Sequence, residues 1–226
     1  MADIVCIGAH PDDVEIGMGG TVAGMTAQGL DVTIVDLTDG EPTPHGTHEL
    51  RIAEAARAAG LLGATRRTLT QPNRYLFDTV EARTELAEVL RELRPRVLFV
   101  PYPEDAHPDH IAAASIARAA RFYAKFTKSD MMGEPHYPAR VYHYMAVHMR
   151  LVREPSFVVD ISQTMETKLR ALECYESQFQ ANEHNRGIVP MLEVAARMWG
   201  TQIGVSAGEP FFAPEPVGIR SVADLV

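Results

Sequence analysis

Along the chain, short continuous apolar runs alternate with stretches whose apolar residues recur every three or four positions. Residues 4–9, 32–37 and 97–100 are runs of the first kind, the composition of parallel strands buried on both faces, and 66–70 is a weaker one. Between them the spacing predicts helices. Ile52, Ala55, Ala56 and Ala59 share a face in 48–62, with Thr47 as N-cap. Leu86, Val89, Leu90 and Leu93 repeat the spacing in 80–93, with Thr79 as N-cap, and an alanine-rich helix covers 111–124. Strand and helix in alternation specify an α/β fold with a doubly wound, mostly parallel sheet and helices on both faces.

After residue 127 the rhythm loosens. Residues 128–139, with Gly133, Pro135 and Pro138, read as a loop, and 141–147 and 157–161 as further strands. A helix aligning Met165, Leu169 and Leu172 follows, then a polar, turn-rich stretch at 180–190 and a short helix near 191–199. Val194, Met198 and Trp199 read as the packing face of that helix, and the tail with Pro210, Pro214 and Pro216 as irregular. No linker interrupts the chain, so residues 1–226 are expected to form one domain, 1–127 its core and 128–226 a smaller α/β extension.

Composition adds exclusions. The 226 residues are 46% hydrophobic and carry a net charge of −9, which disfavours nucleic acid and anionic membranes as partners. Two cysteines make neither a disulfide framework nor a cysteine zinc site. No apolar run reaches membrane length and no cationic leader precedes one, so a cytoplasmic protein is expected.

Two polar segments change the picture. Ala9-His10-Pro11-Asp12-Asp13-Val14-Glu15 follows the first strand directly, and Glu104-Asp105-Ala106-His107-Pro108-Asp109-His110 follows the fourth. In a sheet of order 3-2-1-4 those strands are neighbours where the winding reverses, and ligands bind beyond their carboxyl ends. Asp12, Asp13 and Asp109 would each serve as a helix cap, but two such clusters at adjacent strand ends point to a metal. Imidazole with carboxylate suits zinc or another divalent transition metal. The clusters hold more groups than the three ligands of a catalytic zinc, which leaves some for acid–base work. His10 and Asp13 are spaced to face one ion, with Asp12 directed elsewhere. Gly17, Gly19 and Gly20 fail the dinucleotide fingerprint because Val22 stands at its last position, so helix–sheet packing accounts for them. Cys6 reads as core.

The segment 9–21, Ala-His-Pro-Asp-Asp-Val-Glu-Ile-Gly-Met-Gly-Gly-Thr, together with His-Pro-Asp-His at 107–110, resembles the LmbE-like, or PIG-L, family of metal-dependent N-deacetylases. Asp36-Leu37-Thr38 and Tyr175-Glu176-Ser177-Gln178-Phe179 extend the likeness through nearly the whole chain, and within the family it looks most like the bacillithiol branch. The resemblance implies a Rossmann-like core and hydrolytic removal of acetyl from a small N-acetylglucosaminyl substrate. N-acetylglucosaminyl malate comes first, with an inositol conjugate or chito-oligosaccharide as alternatives. It makes His10, Asp13 and His110 ligands of zinc, with Fe(II) able to take the same set, and Asp12 the base that deprotonates water. His107 would stabilise the oxyanion or protonate the leaving amine, with Asp109 holding its ring. Arg51 resembles a substrate-contacting arginine, and Arg74, beyond the third strand, is a second candidate. A homo-oligomer, a hexamer in one form, is also implied. The chain departs from some relatives at Ala106, where they carry arginine, and near Ile188 and Met191, where they carry tyrosine. Two other classes stay open: a catalytically idle sugar- or nucleotide-binding module, against which Asp12 and His107 argue, and a phosphoesterase, which wants more bridging carboxylates.

Overall fold

A computed structural model describes residues 2–146, 148–149, 151, 153–219 and 221. Among these residues seven strands form one sheet in the order β3-β2-β1-β4-β5-β7-β6. They are β1 (Ile4–Gly8), β2 (Val32–Asp36), β3 (Thr65–Thr68), β4 (Val97–Pro101), β5 (Arg140–Tyr144), β6 (Phe157–Asp160) and β7 (Gly208–Phe212). The first five run parallel, and β7 pairs antiparallel with both β5 and β6. Alternate residues of β1 enter opposite cores, as the pleat requires. Val5 and Ile7 join Leu86, Leu90 and Ile116, from α3 (Val80–Leu93) and α4 (Pro108–Tyr123), on one face. Ile4 and Cys6 join Val14, Val22, Ala55 and Leu172 on the other, where α1 (Asp13–Ala27), α2 (His48–Leu62) and α5 (Met165–Glu173) lie. The doubly wound α/β expectation holds, and so do the caps, since Thr47 accepts from Leu50 N–H and Thr79 from Ala82 N–H.

Four local expectations fail for physical reasons. The buried face of α2 comprises Arg51, Glu54, Ala55, Ala58, Ala59 and Leu62, whereas Ile52 and Ala56 are exposed. Two buried charged residues hid the true face. After the short α6 (Glu176–Phe179), helix α7 spans Ile188–Gln202, and Val194 and Met198 are exposed rather than forming its packing face. β5 stops at Tyr144, and Val147 lies outside the described residues. The tail contains β7, fully buried; Pro210 is accommodated because β7 pairs with β5 only through Phe211 and Phe212.

α1 is kinked. Met18 has φ −153° and ψ 22°, which breaks the helical bonding ladder between two glycines that meet the sheet closely. A Cβ on Gly17 would collide with the Tyr144 ring, and one on Gly20 would stand 2.8 Å from Ile161. The backbone groups freed by the kink find side chains from the far end of the chain. Glu209 of β7 accepts from Gly20 N–H, Thr21 N–H and the Thr21 hydroxyl, while Lys168 of α5 donates to Ile16 O and to Glu209. A buried ion pair thus supplies the donors and acceptors that the broken helix lacks. Gly17→Ala is expected to cost about 1–3 kcal/mol of stability through overpacking, read as a lower thermal midpoint. Tyr144 cannot yield easily, because it is fully buried and donates to Ile7 O.

Candidate metal centre

Both polar clusters lie at the carboxyl ends of β1 and β4, the adjacent strands where the winding reverses. β1 hands directly into a tight turn in which Asp13 N–H donates to His10 O, and the Asp13 carboxylate accepts from the N–H groups of Ala9 and His10. β4 is followed by the turn that opens α4, where His107 is the N-cap and its Nδ1 accepts from Asp109 N–H.

Asp13 is the hub. His110 Nε2 lies 3.2 Å from its Oδ1 and His10 Nδ1 lies 3.8 Å from its Oδ2. The second nitrogen of each ring meets another carboxylate, His110 Nδ1 at 2.6 Å from Asp105 and His10 Nε2 at 3.0 Å from Asp109. Each imidazole is therefore oriented by a carboxylate with its other nitrogen facing the hub, the outer-shell arrangement of metal-ligating histidines. Ligand atoms of His10, Asp13 and His110 all lie within 4.8 Å of one another. This donor set fits a divalent transition metal: two imidazoles, one carboxylate and restrained ring orientations.

The electrostatics favour positive charge at the hub. Burial opposes ionisation of Asp13, yet the attraction and hydrogen bond of His110, with His10 beside it, hold its carboxyl well below the usual range. Burial likewise works against a charged His110, but Asp13 and Asp105 raise the ring to about 10. His107 moves the opposite way, lowered to about 4 by burial and by the neighbouring His10 and His110. With Nδ1 occupied as an acceptor, the neutral His107 ring carries its proton on Nε2.

Asp12 stands beside the cluster without joining it. Its backbone is left-handed, φ 109°, and its carboxyl is raised to about 7 by burial, an effect that Arg51 counters from 3.6 Å. Arg51 is 2% exposed and donates from Nη2 to Pro11 O, while its Nε and Nη1 have no hydrogen-bond partner among the described residues. Both residues line a cleft of about 650 Å³, which also takes in His107, Arg74, Ile188 and Met191. The eight candidate residues therefore gather at one end of the sheet, with one correction. Asp109 does not hold the His107 ring through its carboxylate, which turns instead to His10 and to the N–H groups of Arg74 and Leu76. The position before His107 is the exposed Ala106.

Two contributors escaped the sequence. Asp105 is buried and orients His110, but nothing local distinguishes it from the neighbouring Glu104. His148 comes from beyond β5, its ring centroid 5.3 Å from His107 and 5.1 Å from His110. No periodicity or spacing marked it.

The family model PIG-L, described as GlcNAc-PI de-N-acetylase, matches residues 5–121, which include both clusters. The chain belongs to the PIG-L family. Among its relatives, diacetylchitobiose deacetylase of Thermococcus kodakarensis is 37% identical over 192 aligned positions, covering 78% of this chain and 70% of that protein. The 1D-myo-inositol 2-acetamido-2-deoxy-alpha-D-glucopyranoside deacetylase of Thermobispora bispora is 32% identical over 255 positions, with 94% and 83% covered. The crystal structure of the conserved protein TT1542 from Thermus thermophilus superposes with a TM-score of 0.90 at 39% identity, covering 98% of this chain and 99% of that one. In this PIG-L member the matched region ends inside α4, so Lys168, Glu209 and His148 lie outside it. No helix among the described residues is long and apolar enough to cross a membrane.

Proposed function

We propose that this metal-dependent N-deacetylase acts on a small N-acetylglucosaminyl conjugate with an anionic aglycone, N-acetylglucosaminyl malate being the first candidate, and that its ion is zinc. The observation that carries the deacetylase chemistry is the convergence of His10, Asp13 and His110 on one point, flanked by Asp12 and His107 in a single cleft. An ion held by those three residues would supply Lewis acidity toward water and the acetamide carbonyl. Asp12 takes a proton from the attacking water. His107, whose Nδ1 accepts from Asp109 N–H, donates from Nε2 to the oxygen that becomes negative as the tetrahedral carbon forms. Breakage of the C–N bond gives acetate and an amine, to which the proton is delivered. Asp109 is kept at the site as a holder of His10.

Support for an anionic aglycone comes from Arg51, a buried guanidinium whose Nε and Nη1 have no hydrogen-bond partner among the described residues, and from Arg74, which lines the same cleft. A neutral aglycone, as in chitobiose or an inositol conjugate, is the second reading, favoured by the names of the two curated relatives. Acetate release from all three substrates decides between them. The first reading expects kcat/KM at least about tenfold higher for the malate conjugate, and equal or lower values assign the second. Arg51→Ala should raise KM for the malate conjugate about tenfold or more, the worth of a charge-assisted hydrogen bond, and raise it far less for the neutral substrates. Equal effects on both would remove its carboxylate-binding role. Chelation should abolish turnover and zinc should restore it. A cytoplasmic homo-oligomer belongs to the same proposal; the exposed Val194 and Met198 on α7 and Tyr75 and Phe77 after β3 support the assembly.

A further inference from the structure

The carboxylate of Asp109 is 1% exposed and receives three donors. His10 Nε2 lies at 3.0 Å, Arg74 N–H at 2.7 Å and Leu76 N–H at 3.3 Å. Arg74 has φ 68°, a left-handed conformation that costs an ordinary residue roughly 1–2 kcal/mol. Backbone turns containing such a residue can aim nearby N–H groups at one anion. Here the anion is a side chain of the same protein, and its remaining contact is a candidate metal ligand.

We infer that Asp109 is a positioning residue that couples occupancy of the metal site to the wall of the cleft formed by Asn73 and Arg74. The inference rests on the reading of His10 as a metal ligand. His10 can offer Nδ1 toward Asp13 only while its proton sits on Nε2, and Asp109 is the acceptor that keeps it there. A cation near the ring makes Nε2–H a stronger donor, and that bond in turn holds the carboxylate beneath the two loop amides. Linkage makes the effect reciprocal: a loop settled on Asp109 favours the ion by the factor with which the ion favours the loop. Arg74 and Asn73 line the cleft, so the ion steadies the substrate wall through Asp109. A carboxylate serving only His107 would do neither.

The test uses the full chain as wild type, Asp109→Asn and His107→Ala. Zinc affinity is measured by competition with a chelator, and amide hydrogen exchange at Arg74 and Leu76 is measured with and without zinc. Asp109→Asn is expected to weaken zinc binding about 10–100-fold. Zinc should slow exchange at both amides in the wild type and in His107→Ala, and leave it unchanged in Asp109→Asn. A wild type that takes up no zinc would sink the metal reading and the inference together. Zinc bound equally by wild type and Asp109→Asn, or bound without slowing the two amides, would overturn the coupling and leave the metal reading standing. Should Asp109→Asn fail to fold, exchange in the wild type alone decides.

Discussion

Replacing Asp12 with Ala is expected to lower kcat about a hundredfold to ten-thousandfold, the span of general acid–base catalysis, while the protein keeps its ion. The expectation follows from where Asp12 sits. Its neighbours His10 and Asp13 belong to the ligand cluster, whereas its own left-handed backbone sets its carboxylate apart, into the cleft and 3.6 Å from Arg51. Left-handed backbone is tolerated by Asp and Asn better than by Ala, so Asp12→Asn separates the two contributions. The Asn variant retains the turn and the side-chain volume but cannot take a proton, and should be as inactive as the Ala variant. Turnover is read together with bound metal per chain. Near-wild-type turnover with the metal retained would show that the base is another group.

Lys168→Met is expected to destabilise the protein by about 3–5 kcal/mol, the usual cost of stranding one member of a buried ion pair. For a chain of this size that corresponds to a thermal midpoint lower by roughly 6–20 °C. Lys168 and Glu209 are both at least 97% buried, and the carboxylate has no other cation at hydrogen-bonding distance among the described residues. Adding Glu209→Gln should recover part of the loss. The amide oxygen can still accept from α1, and the uncompensated charge is gone. A midpoint within about 2 °C of wild type for the single variant would mean the pair contributes little.

Strands β1, β2 and β4 are legible in the sequence because burial on both faces demands continuous apolar runs, and those runs carry the two clusters to neighbouring strand ends. β7 is hidden because Glu209 and Pro210 spell a polar, broken tail, and the partners that make Glu209 acceptable are distant in sequence, Lys168 on α5 and the Gly20 and Thr21 amides on α1. The face of α2 is misread for a similar reason: Arg51 and Glu54 count as polar but point inward, Arg51 to the cleft and Glu54 to Ser177. Within the site, residue type and strand position nominate the histidines and aspartates of the two clusters and pair His10 with Asp13, while the choice of His10, Asp13 and His110 as the ligand set comes from the family resemblance. The direction in which Asp109 points depends on a loop after β3, and that no local spacing encodes.

The placement of β7 also bears on the order in which the molecule can be completed during synthesis. β7 is the latest in sequence of the described strands, yet it fills the gap between β5 and β6 and brings Glu209 to the kink of α1. Every candidate metal ligand has left the ribosome once His110 has. The carboxylate that satisfies the kinked helix bearing Asp13 follows about a hundred residues later, a delay of roughly 5–20 s at ordinary elongation rates. Until then Asp13 stands on a helix whose Gly20 and Thr21 amides lack the carboxylate that accepts from them, and β6, once made, lacks the strand that pairs with it.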